Sequence, residues 1–136
     1  MSLHDRIEDD LRAAMKVRDR ATMDALRMLK SALTNRAVAD GGTPTSRLDD
    51  ETVMAAVATE VKRRREAATA FRDGGREESA LKEEAEAAVY AAYLPAQMDD
   101  AALRALVAAA ATRLGATGPR DAGGVIREVL AEASGG

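Results

Sequence analysis

Cysteine is absent from the 136-residue chain, so disulfides, thiolate nucleophiles and zinc–sulfur sites are excluded. Tryptophan is absent as well, and the only aromatic side chains are Phe71, Tyr90 and Tyr93. A single histidine, His4, excludes a metal site built from several histidines and argues against a histidine-based catalytic triad. We therefore expect no catalytic residue, no metal site and no cofactor.

Long apolar runs are also missing. No stretch is long enough to span a bilayer, and the first residues lack the apolar centre of a signal sequence. The expectation is a cytoplasmic protein without a membrane partner.

A strong net charge is lacking too, because 20 basic and 23 acidic residues are interleaved and give a net charge of −3. Such interleaving is typical of solvated helix faces. Nucleic-acid binders more often carry a basic domain or stripe, and the composition shows none.

Alanine and aliphatic residues are what the chain has in quantity. Hydrophobic residues make up 46% of it. With so few aromatics, the core must be built from Leu, Val, Met, Ile and Ala. Alanine has the highest helix propensity and lets helices approach closely. The composition therefore predicts an all-α fold of packed helices.

Apolar residues recur every three or four positions, which is the spacing of amphipathic helices. This spacing predicts a first helix over residues 3–15 and a second that begins near Asp19 or Thr22 and ends near residue 39. Turn-forming residues at 40–46 predict an exposed loop.

Start signals mark the next two helices. Asp49 is placed to cap a third helix that ends at Gly74-Gly75. Ser79 is the predicted cap of a fourth helix. The apolar stripe predicted for the fourth helix is Leu81, Ala85, Ala88, Val89 and Ala92.

A second start signal at Asp99 predicts a fifth helix, with Gly115 as its C-terminal cap, and a last short helix follows near Val125. We place a domain boundary near Gln97. Residues 1–97 would form a four-helix N-terminal bundle and residues 98–136 a small helical tail domain. Two helices bury little surface alone, so the tail should lean on the bundle or on a partner.

Arg64 lies inside the apolar stripe of the third helix, three residues after Val61 and seven after Val57. A buried guanidinium must be paired, because an unpaired buried charge is very costly. We predict a structural ion pair with Glu83 or Glu86 on the next helix. Contact with an RNA phosphate is the alternative interpretation.

Two further features resemble parts of active sites. Glu83, Glu86 and Tyr90 share one side of the fourth helix, but acid–base chemistry also needs a cleft and a substrate contact. Gly123-Gly124 resembles a fragment of a phosphate-binding loop, yet the GxGxxG spacing and the preceding strand are missing. Structural roles are the preferred interpretation of both.

Several strings, in order along nearly the whole chain, resemble the YqeY-like family. They are LRMLK (26–30), LDDE (48–51), VKRRREA (61–67) with Phe71, Gly75-Arg76, Glu83 with Glu86, and YLP (93–95). The family is similar to the C-terminal region of the B subunit of the glutamine-dependent Asp-tRNA/Glu-tRNA amidotransferase. In that enzyme the region helps to hold and discriminate tRNA, while the chemistry lies elsewhere.

The resemblance implies a helical bundle followed by a small helical tail domain. Residues 121–126 look like the family's tail signature. The family usually continues past Gly135 with a Gly-rich turn and a final helix, so the resemblance leads us to expect a tail domain that is truncated relative to the family. Such proteins are linked to carbon–nitrogen ligase activity with glutamine as amido-N donor.

The function implied is a non-catalytic tRNA-binding or tRNA-amidotransferase-associated module. Its partners would be tRNA and a tRNA-charging or amidotransferase complex. The alternative is a protein–protein interaction module without nucleic-acid binding. A standalone enzyme comes third, because no ATP site or amidase Ser–Lys machinery is visible. The residues expected to bind tRNA are Arg27, Lys62, Arg63, Arg65 and Arg76.

Overall fold

The computed structural model describes residues 2–95 and 98–114. This part of the chain contains five α-helices joined by turns and loops, and no strand. The helices are α1 (Leu3–Val17), α2 (Arg20–Ala39), α3 (Asp50–Asp73), α4 (Glu77–Ala91) and α5 (Asp100–Leu114). The predicted all-α fold is confirmed. None of the helices in this part is both long and apolar enough to cross a membrane.

Aspartate caps begin three of these helices at the predicted places. The Asp49 side chain accepts a hydrogen bond from Thr52 N at 2.8 Å, and the Asp99 side chain accepts one from Ala102 N at 2.8 Å. Asp19 caps α2 in the same way. These carboxylates satisfy N–H groups that have no partner inside their helix.

The start of α4 differs from the prediction. Ser79 does not cap it, because α4 begins two residues earlier and Arg76 is its N-terminal flanking residue. The chain turns through Gly75, whose φ of 79° suits glycine, and Arg76 N then donates to Phe71 O at 2.8 Å. This closure of α3 fixes where α4 can begin.

The apolar stripe predicted for α4 is also wrong for most of its length. Leu81 is 53% exposed, and three of the four alanine and valine positions after it are exposed too. The buried face of α4 instead carries Ala80, Ala87 and Tyr90. The helix is turned this way because its inner face also presents Glu83 and Glu86 to α3.

The core lies around α3, which contacts each of the other four helices. One continuous cluster of buried side chains runs through the described residues. Its largest fully enclosed members are Ile7, Leu26, Leu29, Val53, Val57, Val61, Tyr90, Leu103 and Leu106. Leu103 and Leu106 belong to α5, so the described start of the tail packs into the same core as the bundle.

The predictions for Gln97, Gly115, Gly123-Gly124 and the last short helix near Val125 lie outside the described residues. The domain boundary at residue 97 therefore stays a prediction.

Candidate functional site

Basic side chains from α3 and α5 meet around one surface cavity of about 230 Å³. Lys62 and Arg65 come from α3 and Arg104 from α5. Glu66 and Thr69 also line it, so the described part of the lining has three cations, one carboxylate and one hydroxyl. We call Lys62, Arg65 and Arg104 the α3–α5 basic cluster.

Hydrogen bonds and ion pairs hold the cluster in place. Lys62 Nζ lies 2.7 Å from Glu66 Oε1 one turn later on α3. Arg65 Nη1 donates to Met98 O at 3.5 Å, across the connection that leads into α5. Thr69 donates its hydroxyl proton to Arg65 O at 3.1 Å. The carboxylate of Glu66 has a lowered pKa because Lys62 hydrogen-bonds to it and attracts its charge, with Arg104 adding to the effect.

The five basic residues predicted to bind tRNA do not form one surface. Lys62 and Arg65 share the cavity, whereas Arg63 is turned away from it and contacts Glu60 at 3.4 Å. Arg27 lines a separate groove between α2 and α4. Arg76 is exposed at the start of α4.

Arg104 is the member of the cluster that the sequence did not reveal. It follows Leu103, a core residue of α5, and nothing in its neighbourhood along the chain sets it apart. Only the packing of α5 along α3 brings it to Lys62 and Arg65. The pairing of two helices is a long-range property that local spacing does not contain.

Arg64 forms a second charged centre on the other side of α3. Its Nε lies 3.0 Å from Glu86 Oε2 and 3.7 Å from Glu83 Oε2, both on α4. A third carboxylate, Glu60, lies 3.6 Å from Arg64 Nη2 and is nearly buried, with only 10% of its side chain exposed. Glu60 was missed, although its position four residues before Arg64 on the same helix is a usual pairing distance. We call these four residues the Arg64 network.

The surroundings keep Arg64 charged. Burial lowers the pKa of the guanidinium, but the acidic groups of Tyr90, Glu60 and Glu86 raise it by more. The guanidinium also lies over the Tyr90 ring, 5.7 Å from its centroid. Arg64 Nε has no hydrogen-bond partner among the described groups, so its contact with Glu86 is an ion pair without an aligned N–H. This arrangement joins α3 to α4 and leaves 20% of the Arg64 side chain exposed.

Both tyrosines sit at the C-terminal end of α4 or just beyond it, and both use their hydroxyl groups to bind other helices. Tyr90 donates to Ala25 O of α2 at 2.7 Å, and Tyr93 donates to Asp10 of α1 at 2.6 Å. Burial raises the pKa of Tyr90 to about 12. Burial, with the Asp10 carboxylate, also raises the pKa of Tyr93. A phenol bonded in this way is a structural donor and has no free proton for catalysis.

A second cavity, of about 830 Å³, is a groove between α2 and α4. Arg27, Met28 and Val89 are among its lining residues, and Arg64 lies in it as well. Its acidic and basic lining residues are equal in number. The groove is therefore wide and amphipathic without favouring a ligand of either charge.

No three His, Asp or Glu side chains of residues 2–95 and 98–114 come together in a way that could hold a metal ion. His4 contacts Glu8 at 3.3 Å within α1 and joins no larger group.

The family model described as Yqey-like protein matches residues 4–136. The chain belongs to the YqeY-like family. No curated protein matches it.

Some of the strings that resemble the YqeY-like family supply residues of the two charged centres. VKRRREA (61–67) is the stretch of α3 that supplies Lys62, Arg65 and Glu66 to the cavity and Arg64 to the second centre. YLP (93–95) is the turn that leads from α4 toward α5, and it begins with the tyrosine that binds Asp10. Two of the family strings therefore lie where α3, α4 and α5 meet, whereas LRMLK (26–30) belongs to α2 and LDDE (48–51) to the start of α3.

Proposed function

We propose that this YqeY-like protein is a non-catalytic tRNA-binding module that works with a tRNA amidotransferase in the cytoplasm. The link to tRNA rests on the resemblance of the family to the C-terminal region of the amidotransferase B subunit. The carbon–nitrogen ligase activity with glutamine as amido-N donor then belongs to the partner enzyme.

The observation that carries the proposal is the α3–α5 basic cluster. Among the described side chains, three cations and one carboxylate line its cavity, a local excess of positive charge in a chain whose net charge is −3. Lysine and arginine bind phosphate oxygens and release the counterions that surround a nucleic acid. The cluster combines side chains of two helices in one patch. Four consecutive basic residues on a single helix point in different directions around its axis and cannot form such a patch.

Binding through this cluster predicts a specific salt dependence. Each phosphate contact that is lost lowers the slope of log affinity against log salt by about one. The test variant replaces Lys62, Arg65 and Arg104 by glutamine. A matched control replaces Lys16, Arg20 and Lys30, which are exposed on α1 and α2, and loses the same charge.

We expect the test variant to bind unfractionated tRNA more weakly and with a slope lower by about two to three, while the control keeps the slope of the unmodified protein. Filter retention over a series of salt concentrations measures both. Equal slopes for the two variants would refute binding through the cluster. Arg27, Arg63 and Arg76 lie outside the cavity, and single charge reversals at each test their predicted contacts in the same assay.

The second candidate function is a protein–protein interaction module, and the groove between α2 and α4 favours it. Met28 lines this groove and is 40% exposed, and Leu81 on α4 is 53% exposed. A pull-down with and without ribonuclease separates the two functions. Partners that are lost on ribonuclease treatment support tRNA binding, and protein partners that remain support the alternative.

We also predict that the purified chain does not amidate mischarged tRNA. Amide transfer needs an activated acyl group, a source of ammonia and a nucleophile with its base, and a chain with one histidine and no cysteine offers little for these roles. Incubation with glutamine, ATP and mischarged tRNA tests this. Amidated product above a no-protein control, retained after repurification, would show that the chain is an enzyme.

A further inference from the structure

Glu66 is the acidic side chain that lines the cavity of the α3–α5 basic cluster among the residues that the structure describes. It pairs with Lys62 at 2.7 Å, and the pair lies on the surface, with 63% of the Glu66 side chain and 36% of the Lys62 side chain exposed. An exposed carboxylate on a flexible stem can leave its partner at little cost, since surface ion pairs are weak.

The carboxylate already occupies the position that an anion would seek. Its lowered pKa shows that it experiences the positive field of Lys62 and Arg104. The Thr69 hydroxyl donates to Arg65 O and Arg65 donates to Met98 O, so among the described residues Lys62 is the cation whose only partner in the cavity is Glu66. The cavity of about 230 Å³ has room for about seven waters at roughly 30 Å³ each, which is ample for one phosphate group.

We propose that Glu66 holds the place of an RNA phosphate in the free protein. When a phosphate enters the cavity, it takes over Lys62, and Glu66 turns out into solvent. Binding is then an exchange of one anion for another at Lys62 Nζ. This inference rests on the proposed function for the identity of the ligand, but the exchange itself can be tested with a smaller anion.

The exchange predicts that Glu66→Gln tightens anion binding by about fivefold, because it removes both a competitor and a like charge. Removal of a charge anywhere on the protein has some effect, so Glu78→Gln on α4 serves as the control for net charge. Glu78 is exposed and does not line the cavity. We expect less than a twofold change for the control.

A double variant distinguishes exchange at Lys62 from a general effect of charge. If Glu66 acts by holding Lys62, Glu66→Gln should tighten binding in the native background and change it no more than the control does when Lys62→Gln is also present. The affinities of all variants are measured by calorimetry with pyrophosphate and by filter retention with tRNA. Circular dichroism shows that each variant is folded.

The outcomes separate the two proposals. A fivefold gain with pyrophosphate that disappears in the Lys62→Gln background supports the exchange, whether or not tRNA binds. A gain of equal size in both backgrounds, no gain, or no binding of pyrophosphate by any variant overturns it. If tRNA binds through the cluster while Glu66→Gln has no effect on either ligand, the exchange is wrong and the proposed function stands.

Discussion

Arg64 shows how one charged side chain can set the orientation of a helix. Three carboxylates, from Glu60, Glu83 and Glu86, lie within 3.7 Å of its guanidinium nitrogens. Bringing these groups together requires α4 to turn its charged side inward and Leu81 outward. The network therefore overrides the usual rule that the most apolar stripe of a helix faces the core.

Removal of Arg64 should be costly. We expect Arg64→Ala to lower the free energy of unfolding by about 2–4 kcal/mol, because Glu60 and Glu86 would be left buried without their counter-charge. The expected loss of stability is smaller than for a fully enclosed ion pair, because 20% of the Arg64 side chain is exposed to solvent. Urea unfolding measures it. Arg63→Ala is the control, and its side chain is 66% exposed, so a change of about 0.5 kcal/mol or less is expected. Equal losses at both positions would contradict the structural role of Arg64.

Tyr90 gives stability a dependence on alkaline pH. Its pKa is about 12 in the folded protein and about 10 when unfolded. As pH rises from about 10 toward 12, the unfolded state loses this proton first, so folded stability declines. Tyr90→Phe should therefore show a shallower decline over this range. At neutral pH it should be less stable by about 1 kcal/mol, because the bond to Ala25 O is lost. If the free energy of unfolding fell equally with pH in the unmodified protein and in Tyr90→Phe, the ionisation of Tyr90 would not be the cause.

At the scale of elements, the end of α1 carries a residue in an unfavourable conformation. Arg18 has φ 59° and ψ 37°, in the left-handed region, and it lets Asp19 N donate to Ala14 O at 3.0 Å. Glycine is preferred at such a position because it has no Cβ.

Two substitutions at this position separate backbone from side chain. We expect Arg18→Gly to be more stable than Arg18→Ala by about 0.5–1 kcal/mol, since both remove the same side chain and only glycine relieves the backbone. Thermal unfolding of the two variants decides it. If the two variants have equal stability, the residue at position 18 does not hold the left-handed conformation in solution.

The elements also show what the sequence could predict. The starts of α2, α3 and α5 were predictable because Asp19, Asp49 and Asp99 act locally, through N–H groups three residues away. The face of α4 was not, since it depends on Arg64 of another helix. Arg104 was missed for the same reason, because its role depends on the packing of α5 along α3.

For the whole molecule, the predicted division at residue 97 can be tested with two fragments. Residues 1–97 contain α1 to α4 and most of the core, so we expect a cooperative melt, at a lower temperature than that of the full chain. The loss of Leu103 and Leu106 from the core accounts for the difference. Residues 98–136 should show no cooperative transition, because α5 has its core partners on the bundle.

Circular dichroism melts of both fragments and of the full chain make the comparison. An independent transition in the fragment 98–136 would mean that the tail is a domain in its own right. A fragment 1–97 without a transition would mean that α5 belongs to the bundle, and the boundary would then be misplaced.

The central position of α3 has a consequence for synthesis of the protein. When only α1 and α2 have left the ribosome, Ile7 and Leu29 cannot yet pack against Val53 and its neighbours. The 24 residues of α3 take about 1–5 s to be added at roughly 5–20 residues per second. For that time α1 and α2 can pack only against each other, and the sides that later contact α3 stay uncovered. This stretch of the nascent chain is where a chaperone would find its binding site.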